Sequence, residues 1–279
     1  MPAEDKSPQR AIQSVEVGSR LLLALADAQG PLALKDLAAL ARLTPSRAHP
    51  YLVSFGRVGL VEQEPGSGRY ALGPAALHIG LACLHQLDPL RAAEPAILEL
   101  AARTGHAVAL AVWGNFGPTV VRLIEARQAL HVALRVGSVM SLFETATGRA
   151  FASALPRERL AQAVAGPLGG VAAPRGADGL DAELARIDDE MHRHGVCRAA
   201  GSPIPGVNAF SAVAFDHEGN AALVVTALDH QQRLDAAWDS PSAQAVRDAA
   251  VHITQRLGGR APAVGQRVSQ PRARTVSAA

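Results

Sequence analysis

The sequence predicts an α+β chain of two domains: an N-terminal winged helix-turn-helix, then a larger domain of antiparallel strands with helices set around them. Three observations carry this. Residues 34–73 read as two short amphipathic helices, a tight turn and a hairpin. Beyond residue 88, apolar strand-like runs alternate with helical patterns. Between the two lies a short, unusually apolar segment bounded by Gly73-Pro74 and Asp88-Pro89.

Residues 1–10 are polar and predict a disordered arm. A helix over 12–28 follows, with Ile12, Val15, Leu22 and Leu25 on one side and Gln29-Gly30-Pro31 as its stop. Leu34, Leu37, Ala38 and Leu40 share a face of the next helix, and Leu43 lies in the turn. Thr44-Pro45 is a helix start, a capping hydroxyl followed by a proline whose missing N–H costs nothing there. Ala48, Tyr51, Leu52 and Phe55, spaced i, i+3, i+4, i+7, face inward. Ser46, Arg47, His49, Pro50, Ser54 and Arg57 face outward. From Arg42 to Arg57 there is no acid. Strands beginning at Leu60 and at Arg69 flank the turn Pro65-Gly66-Ser67-Gly68, which places Arg69 near the tip of a wing. The second helix is thus shaped to enter a DNA major groove. Pro50 inside it removes an N–H and costs about 3 kcal/mol in a helix interior. Either the helix proper starts near His49 or it kinks.

A linker helix is expected over 74–87, too apolar for a solvated connection; His78 and His85 on it lack the carboxylate or thiol that a metal site needs. The second domain, 88–257, opens with a helix stopped by Gly105. Strands are expected over 107–113, 119–126 and 130–136, the last with its leucines and valines inward by period-two alternation. A loop over 137–142 leads to a helix near Thr145, and further helices are expected over 157–164 and 180–194, separated by a Gly/Pro/Ala-rich loop over 166–179. Strands over 210–215 and 221–228 form a hairpin through 216–220, and a last helix covers 236–257. The tail, 258–279, has four arginines and no acid and predicts disorder.

No GxSxG, GxxxxGK[ST], HExxH or strand-borne GxGxxG occurs, so no catalytic residue, metal site or cofactor is assigned. His192 and His194, two apart on a helix, read as a solvated pair, and Asp188-Asp189-Glu190 as a solvated face. Cys83 and Cys197 have no CxxC spacing and are expected to be buried, reduced thiols, with a disulfide between them as the alternative. The formal net charge of +2 is too small to signal nucleic-acid binding by itself; residues 1–73 hold eight Lys/Arg against seven Asp/Glu, so local placement must carry it. No leader-like apolar segment and no run near the ~20 residues of a membrane span is visible, which predicts a cytoplasmic protein without a membrane partner.

Several separated stretches carry a family resemblance: Gln13-Ser14-Val15-Glu16, Leu43-Thr44-Pro45-Ser46 through His49, Gly59-Leu60-Val61 and Tyr70-Ala71-Leu72-Gly73 near the start. Downstream come Val136-Gly137-Ser138-Val139-Met140, Thr145-Ala146-Thr147-Gly148-Arg149-Ala150, Gly206-Val207-Asn208-Ala209, Phe215-Asp216 and Gly219. Over about residues 12–257 the chain resembles the IclR family of bacterial transcriptional regulators. The resemblance implies a GAF-like effector-binding second domain, a linker helix that packs on a partner subunit, a homodimer or tetramer, and operator DNA as partner. It implies that Ser46, Arg47 and His49 reach bases or phosphates, with Thr44 and Ser54 beside them, while Arg42, Arg57 and Arg69 hold the DNA backbone. Arg10 and Arg20 are further candidates. A small organic or aromatic acid is the expected effector. Free N–H groups from Gly137, Ser138, Met140, Thr145, Ala146 and Gly148 would suit its carboxylate; Ala209 and Thr226 would line the pocket by similarity. Two departures stand out: Pro50 where the family usually has a basic residue, and Ser141 where it tends to carry proline. Competing readings are an enzyme using the second domain's cavity, and a winged helix that docks a protein partner.

Overall fold

A computed structural model describes residues 11–28, 30–130, 132–165 and 179–260. The expected arm, Arg10, the greater part of the 166–179 loop, and tail residues 261–279 lie outside the described residues. The chain divides into two compact units, residues 1–87 and 88–279.

In the first unit, α1 (Gln13–Asp27), α2 (Leu34–Leu40) and α3 (Pro45–Arg57) precede a hairpin of β1 (Val61–Gln63) and β2 (Tyr70–Leu72), then α4 (Pro74–His85). Leu21, Leu25, Leu37, Ala48, Leu52 and Val61 are at the centre of its core. The inward face of α1 differs from expectation. Val17, Gly18, Leu21 and Leu25 are buried, whereas Ile12 and Val15 are 65% and 62% exposed. Gly18 decides the helix rotation: a Cβ there would stand 2.8 Å from the Phe55 ring and 3.2 Å from Tyr51. Leu40 is exposed as well, and Ala41 takes the inward place at the end of α2.

Between α2 and α3 the chain stops with a Schellman pattern: Leu43 N–H donates to the Ala38 carbonyl and Arg42 N–H to that of Ala39. Arg42 occupies the left-handed position, φ 57°, where glycine is usual. Thr44 precedes α3, but its hydroxyl contacts Ser46 Oγ at 3.1 Å and caps no backbone N–H, contrary to expectation. The helix begins at Pro45 and runs continuously through Pro50, so a start near His49 is excluded. The wing has an additional rung: Leu32 and Tyr70 exchange backbone hydrogen bonds at 2.9 and 2.8 Å, extending the hairpin to the chain before α2.

The second unit holds α5 (Pro89–Thr104), β3 (Ala107–Gly114), β4 (Gly117–Ile124), α6 (Ala146–Ala154), α7 (Arg157–Ala165), α8 (Gly179–His194), β5 (Cys197–Ala200), β6 (Val207–Phe215), β7 (Ala221–His230) and α9 (Pro241–Arg256). The strands form one antiparallel sheet in the order β4-β3-β7-β6-β5. Val213, Phe215 and Val224 pack with α6 and α8 on one face. Their alternates Val108, Phe210, Ala212 and Val225 are buried on the other, where α5 and α9 lie. Asp88 caps α5 by accepting from Leu90 N–H, and Gly105 ends it at φ 74°.

Three expectations fail, and one strand was not anticipated. Residues 130 and 132–136 form no strand; Leu130, Val132 and Leu134 do turn inward, but Val136 is 60% exposed. Bonding to β4 begins only at Gly137, whose N–H donates to the Val120 carbonyl, so the preceding stretch has no ladder to join. Strand β5 was not anticipated, because four residues are too short to show alternation. α9 starts at Pro241, not near Ala236, with the Ser240 hydroxyl accepting from Ala243 N–H. Finally, Cys197 is buried but Cys83 is exposed on α4, a helix with no buried residue. No described helix is long and apolar enough to cross a membrane.

Candidate functional sites

On the first unit, Arg47, His49, Ser54 and Arg57 are exposed on α3, as is Ser46 near its start. Arg42, Arg47 and Arg57 form no ion pair among the described residues. Ser54 Oγ donates to the Pro50 carbonyl at 2.9 Å. Arg69 does not stand free: its Nη1 donates to the Pro31 carbonyl at 3.2 Å, bracing the wing against the chain before α2. Arg20 is exposed on α1. Val53, which sequence reasoning left out, is 42% exposed on the same outer side of α3.

On the second unit, a partly open cavity lies against the α6-facing side of the sheet. Five of the eight expected effector residues line it, Met140, Thr145, Ala146, Ala209 and Thr226, but the expected free N–H groups are mostly spent. Gly137 donates to the Val120 carbonyl, Ser138 to Arg135, Met140 to Pro118, Thr145 to Ser141 and Gly148 to Thr145 Oγ1, which leaves Ala146 alone of that set. Gly137, Ser138 and Gly148 lie outside the lining and serve the fold. Gly137 turns at φ 91°, and Ser138 pairs with Val120. A Cβ on Gly148 would sit 2.1 Å from the Ser141 carbonyl oxygen. The remaining walls are mostly aliphatic, including Val120, Leu134, Val207 and Leu228, and Ser202, Pro203 and Ile204 sit exposed at the edge. No lining residue is ionisable.

Polarity is concentrated where α6 meets the sheet. Thr145 Oγ1 donates to the Ser141 carbonyl at 2.7 Å and accepts from Gly148 N–H at 2.9 Å. The cap leaves the first-turn N–H groups of Ala146 and Thr147 without a bonded acceptor among the described residues, at the positive end of the helix. Next to them, Thr226 Oγ1 contacts Thr147 Oγ1 at 2.9 Å and Ser211 Oγ at 2.7 Å. This chain of buried hydroxyls can present either a donor or an acceptor at the cavity floor. The roles of the Thr147 and Ser211 hydroxyls were missed. One signal existed: Ser211 is the polar residue between Ala209 and Val213 on the inward side of an apolar strand.

Arg149 holds this end of the cavity in place. Its side chain, 15% exposed, donates to the Phe143 and Glu144 carbonyls at 3.3 and 3.1 Å and to Glu190 at 3.3 Å, and also bonds the Arg198 carbonyl. His194 is not solvated as expected. It stacks on Trp238 at 3.9 Å, and Arg198 lies 4.1 Å from the same ring. Burial, together with Arg193, Arg198 and Arg247, holds its imidazole below the ordinary histidine range against the opposing pull of Glu190.

One arrangement invites an enzymatic reading. His106 contacts Asp229 Oδ2 through Nδ1 and Ser242 Oγ through Nε2, both at 3.0 Å. By strand alternation it projects with Val108 to the α5/α9 side, away from the cavity. Asp229 is also held by Arg233. Burial pushes the Asp229 carboxyl up, but hydrogen bonds from Arg233, His106 and the His230 N–H outweigh it and leave it below the ordinary range. The group ties the sheet to the start of α9.

Comparison with known proteins finds two family matches on the chain. Residues 14–65 match the IclR helix-turn-helix domain, and residues 81–255 match the C-terminal domain of the bacterial transcriptional regulator IclR. The glycerol operon regulatory protein of Streptomyces griseus is 34% identical over 140 residues, covering 50% of this chain and 55% of that protein. The acetate operon repressor of Salmonella typhimurium is 27% identical over 162 residues, covering 57% and 59%. The matched stretch therefore spans little more than half the length of these curated relatives. The crystal structure of Pseudomonas aeruginosa HmgR superposes with a TM-score of 0.79 at 32% identity, covering 90% of this chain and all of that one. With one family model spanning more than half its length, the chain belongs to the IclR family of bacterial transcriptional regulators.

Proposed function

We propose that the chain binds operator DNA through α3 and the wing, and that a small organic acid with an apolar or aromatic body, held in the second unit's cavity, alters that binding. The observation that carries the effector reading is the cavity's polarity: aliphatic walls, with free N–H groups and hydroxyls gathered at one end. A carboxylate fits at that end without a cationic partner, because a helix N-terminus carries partial positive charge. The acid-free interval 42–57 carries the DNA reading.

The protein acts in the cytoplasm as a homodimer or tetramer. On α4, Leu77, Ile79 and Leu81 are 65%, 59% and 46% exposed, an apolar surface suited to a second copy. Two reading heads related by a twofold axis would address half-sites about 34 Å apart. The effector would act by shifting the population of subunit arrangements.

Duplex binding by the full chain, measured by fluorescence anisotropy across a salt series with thermal melts against aromatic and keto acids, tests both halves. Salt-dependent binding and at least one stabilising acid are expected. A flat acid panel overturns the effector reading; indifference to duplex DNA in dilute buffer overturns the regulator reading.

A further inference from the structure

The outer face of α3 has an apolar centre. At 3.6 residues per turn, Ser46, Pro50, Val53 and Arg57 (i, i+4, i+7, i+11) form a line opposite the inward Ala48, Tyr51, Leu52 and Phe55. Arg47 and Ser54 flank this line on one side and His49 on the other. The two residues at its middle, Pro50 and Val53, are both exposed and have no side-chain hydrogen-bonding group. Pro50 also has no N–H to give the Ser46 carbonyl.

We infer that Pro50 and Val53 are the specificity-determining pair of the recognition helix, and that they read the C5-methyl of a thymine in each half-site. This rests on the reading of α3 as a groove helix. The neighbouring charge supports that occupant: no acid occurs from Arg42 to Arg57, and Arg42, Arg47 and Arg57 flank the apolar pair in sequence. The major groove displays N7, O6 and O4 acceptors, amino donors and one apolar group, the thymine methyl. Pressed against any other base edge, Pro50 and Val53 would strip water from polar atoms and give nothing in return. Against a thymine methyl they bury apolar surface at no such cost. Arg47, His49 and Arg57 then serve chiefly as phosphate contacts that position the helix.

The test starts from sites selected by the full chain out of a random duplex pool. Each thymine in a selected half-site is replaced singly by deoxyuridine, which removes the methyl and nothing else. At one position per half-site the wild-type chain should lose about four-fold in affinity, the worth of one buried methyl-sized group. Val53→Ala, which favours the helix, and Pro50→Ala, which restores an N–H to it, should each shrink that thymine-to-deoxyuridine ratio toward one while still binding DNA. Selected half-sites without a common thymine, a wild-type chain blind to every methyl, or a Val53→Ala variant with the ratio intact would each overturn the inference while leaving α3 in the groove. Failure to bind any duplex overturns the groove reading itself.

Discussion

The two units present function in opposite ways. On α3 the residues proposed to meet DNA point outward, and the fold tolerates local cost there: a non-glycine residue at φ 57° in the turn before the helix, and a proline in the helix interior. Around the cavity the working groups are buried, and nearly every one also serves the fold. Thr145 caps α6, Thr226 bridges two other hydroxyls, and Gly148 admits the Ser141 backbone. The difference teaches where stability and binding are separable. Changes at the outward Arg47, His49 and Arg57 should alter DNA affinity with little effect on unfolding, whereas changes at the cavity should move both together.

The largest effect is expected at Gly148. A Cβ would meet backbone at 2.1 Å from Ser141 O and 2.6 Å from Leu142 Cα, neither of which is a flexible side-chain end. Gly148→Ala should therefore destabilise the second unit by about 3 kcal/mol and abolish stabilisation by any acid. Trp113 and Trp238, the two tryptophans of the chain, both lie in that unit, so urea unfolding followed by their fluorescence reports on it. An unchanged midpoint would separate cavity from fold and break the contrast.

Thr226→Val keeps the shape and removes the hydroxyl on which Thr147 and Ser211 converge. A loss of about 1–2 kcal/mol is expected from the buried hydroxyls left short of a partner, with weaker effector binding in the same variant. If affinity falls while the unfolding midpoint stays, the trio serves the ligand alone.

Acidification should also act on the second unit. The His194 imidazole is held below its ordinary range, by burial first, so between that value and the unfolded one, about 6.5, the unfolded chain binds more protons. Stability is therefore fully present above about pH 6.5 and is lost as pH falls through the folded value. The urea midpoint should drop over that window, and His194→Phe, which retains an aromatic face for Trp238, should flatten the dependence. Equal slopes in both proteins would assign the effect to other groups.

What could be read from the sequence follows the same division. Elements fixed by near neighbours were readable: α3 with its inward Ala48, Tyr51, Leu52 and Phe55, the 65–68 turn, and the start of α6 at Thr145. Features decided by distant partners were not. The rotation of α1 depends on the ring of Phe55 reaching Gly18, and residues 132–136 look like a strand but find no ladder. His194 was read as solvated because Trp238, its stacking partner, is 44 residues away in sequence. At the cavity, Ala209 and Thr226 follow from the family resemblance, whereas Ser211 needs the strand register that sets it beside Thr226. Val53 carries no such signal, because an exposed valine has neither charge nor hydroxyl to single it out in the sequence.

Arg42 gives the smallest effect and the sharpest test, because there the two quantities should move in opposite directions. It sits at the left-handed stop of α2, held by the Leu43-to-Ala38 and Arg42-to-Ala39 bonds, both made by backbone groups. A left-handed L-residue costs roughly 1–2 kcal/mol, and glycine there removes that cost but adds about 0.4–1 kcal/mol of unfolded-chain entropy. Arg42→Gly should thus stabilise the first unit by about 0.5 kcal/mol, seen as slower amide exchange in α2 and α3. The same change deletes a cation beside the reading helix, so duplex affinity should fall and the slope of log affinity against log salt should shrink by about one. Arg42→Lys keeps the charge and the strain, and should restore the slope without the gain in protection. Were Arg42→Gly to lose both protection and affinity, the guanidinium would be bracing the turn, and the first unit would couple stability to binding as tightly as the second.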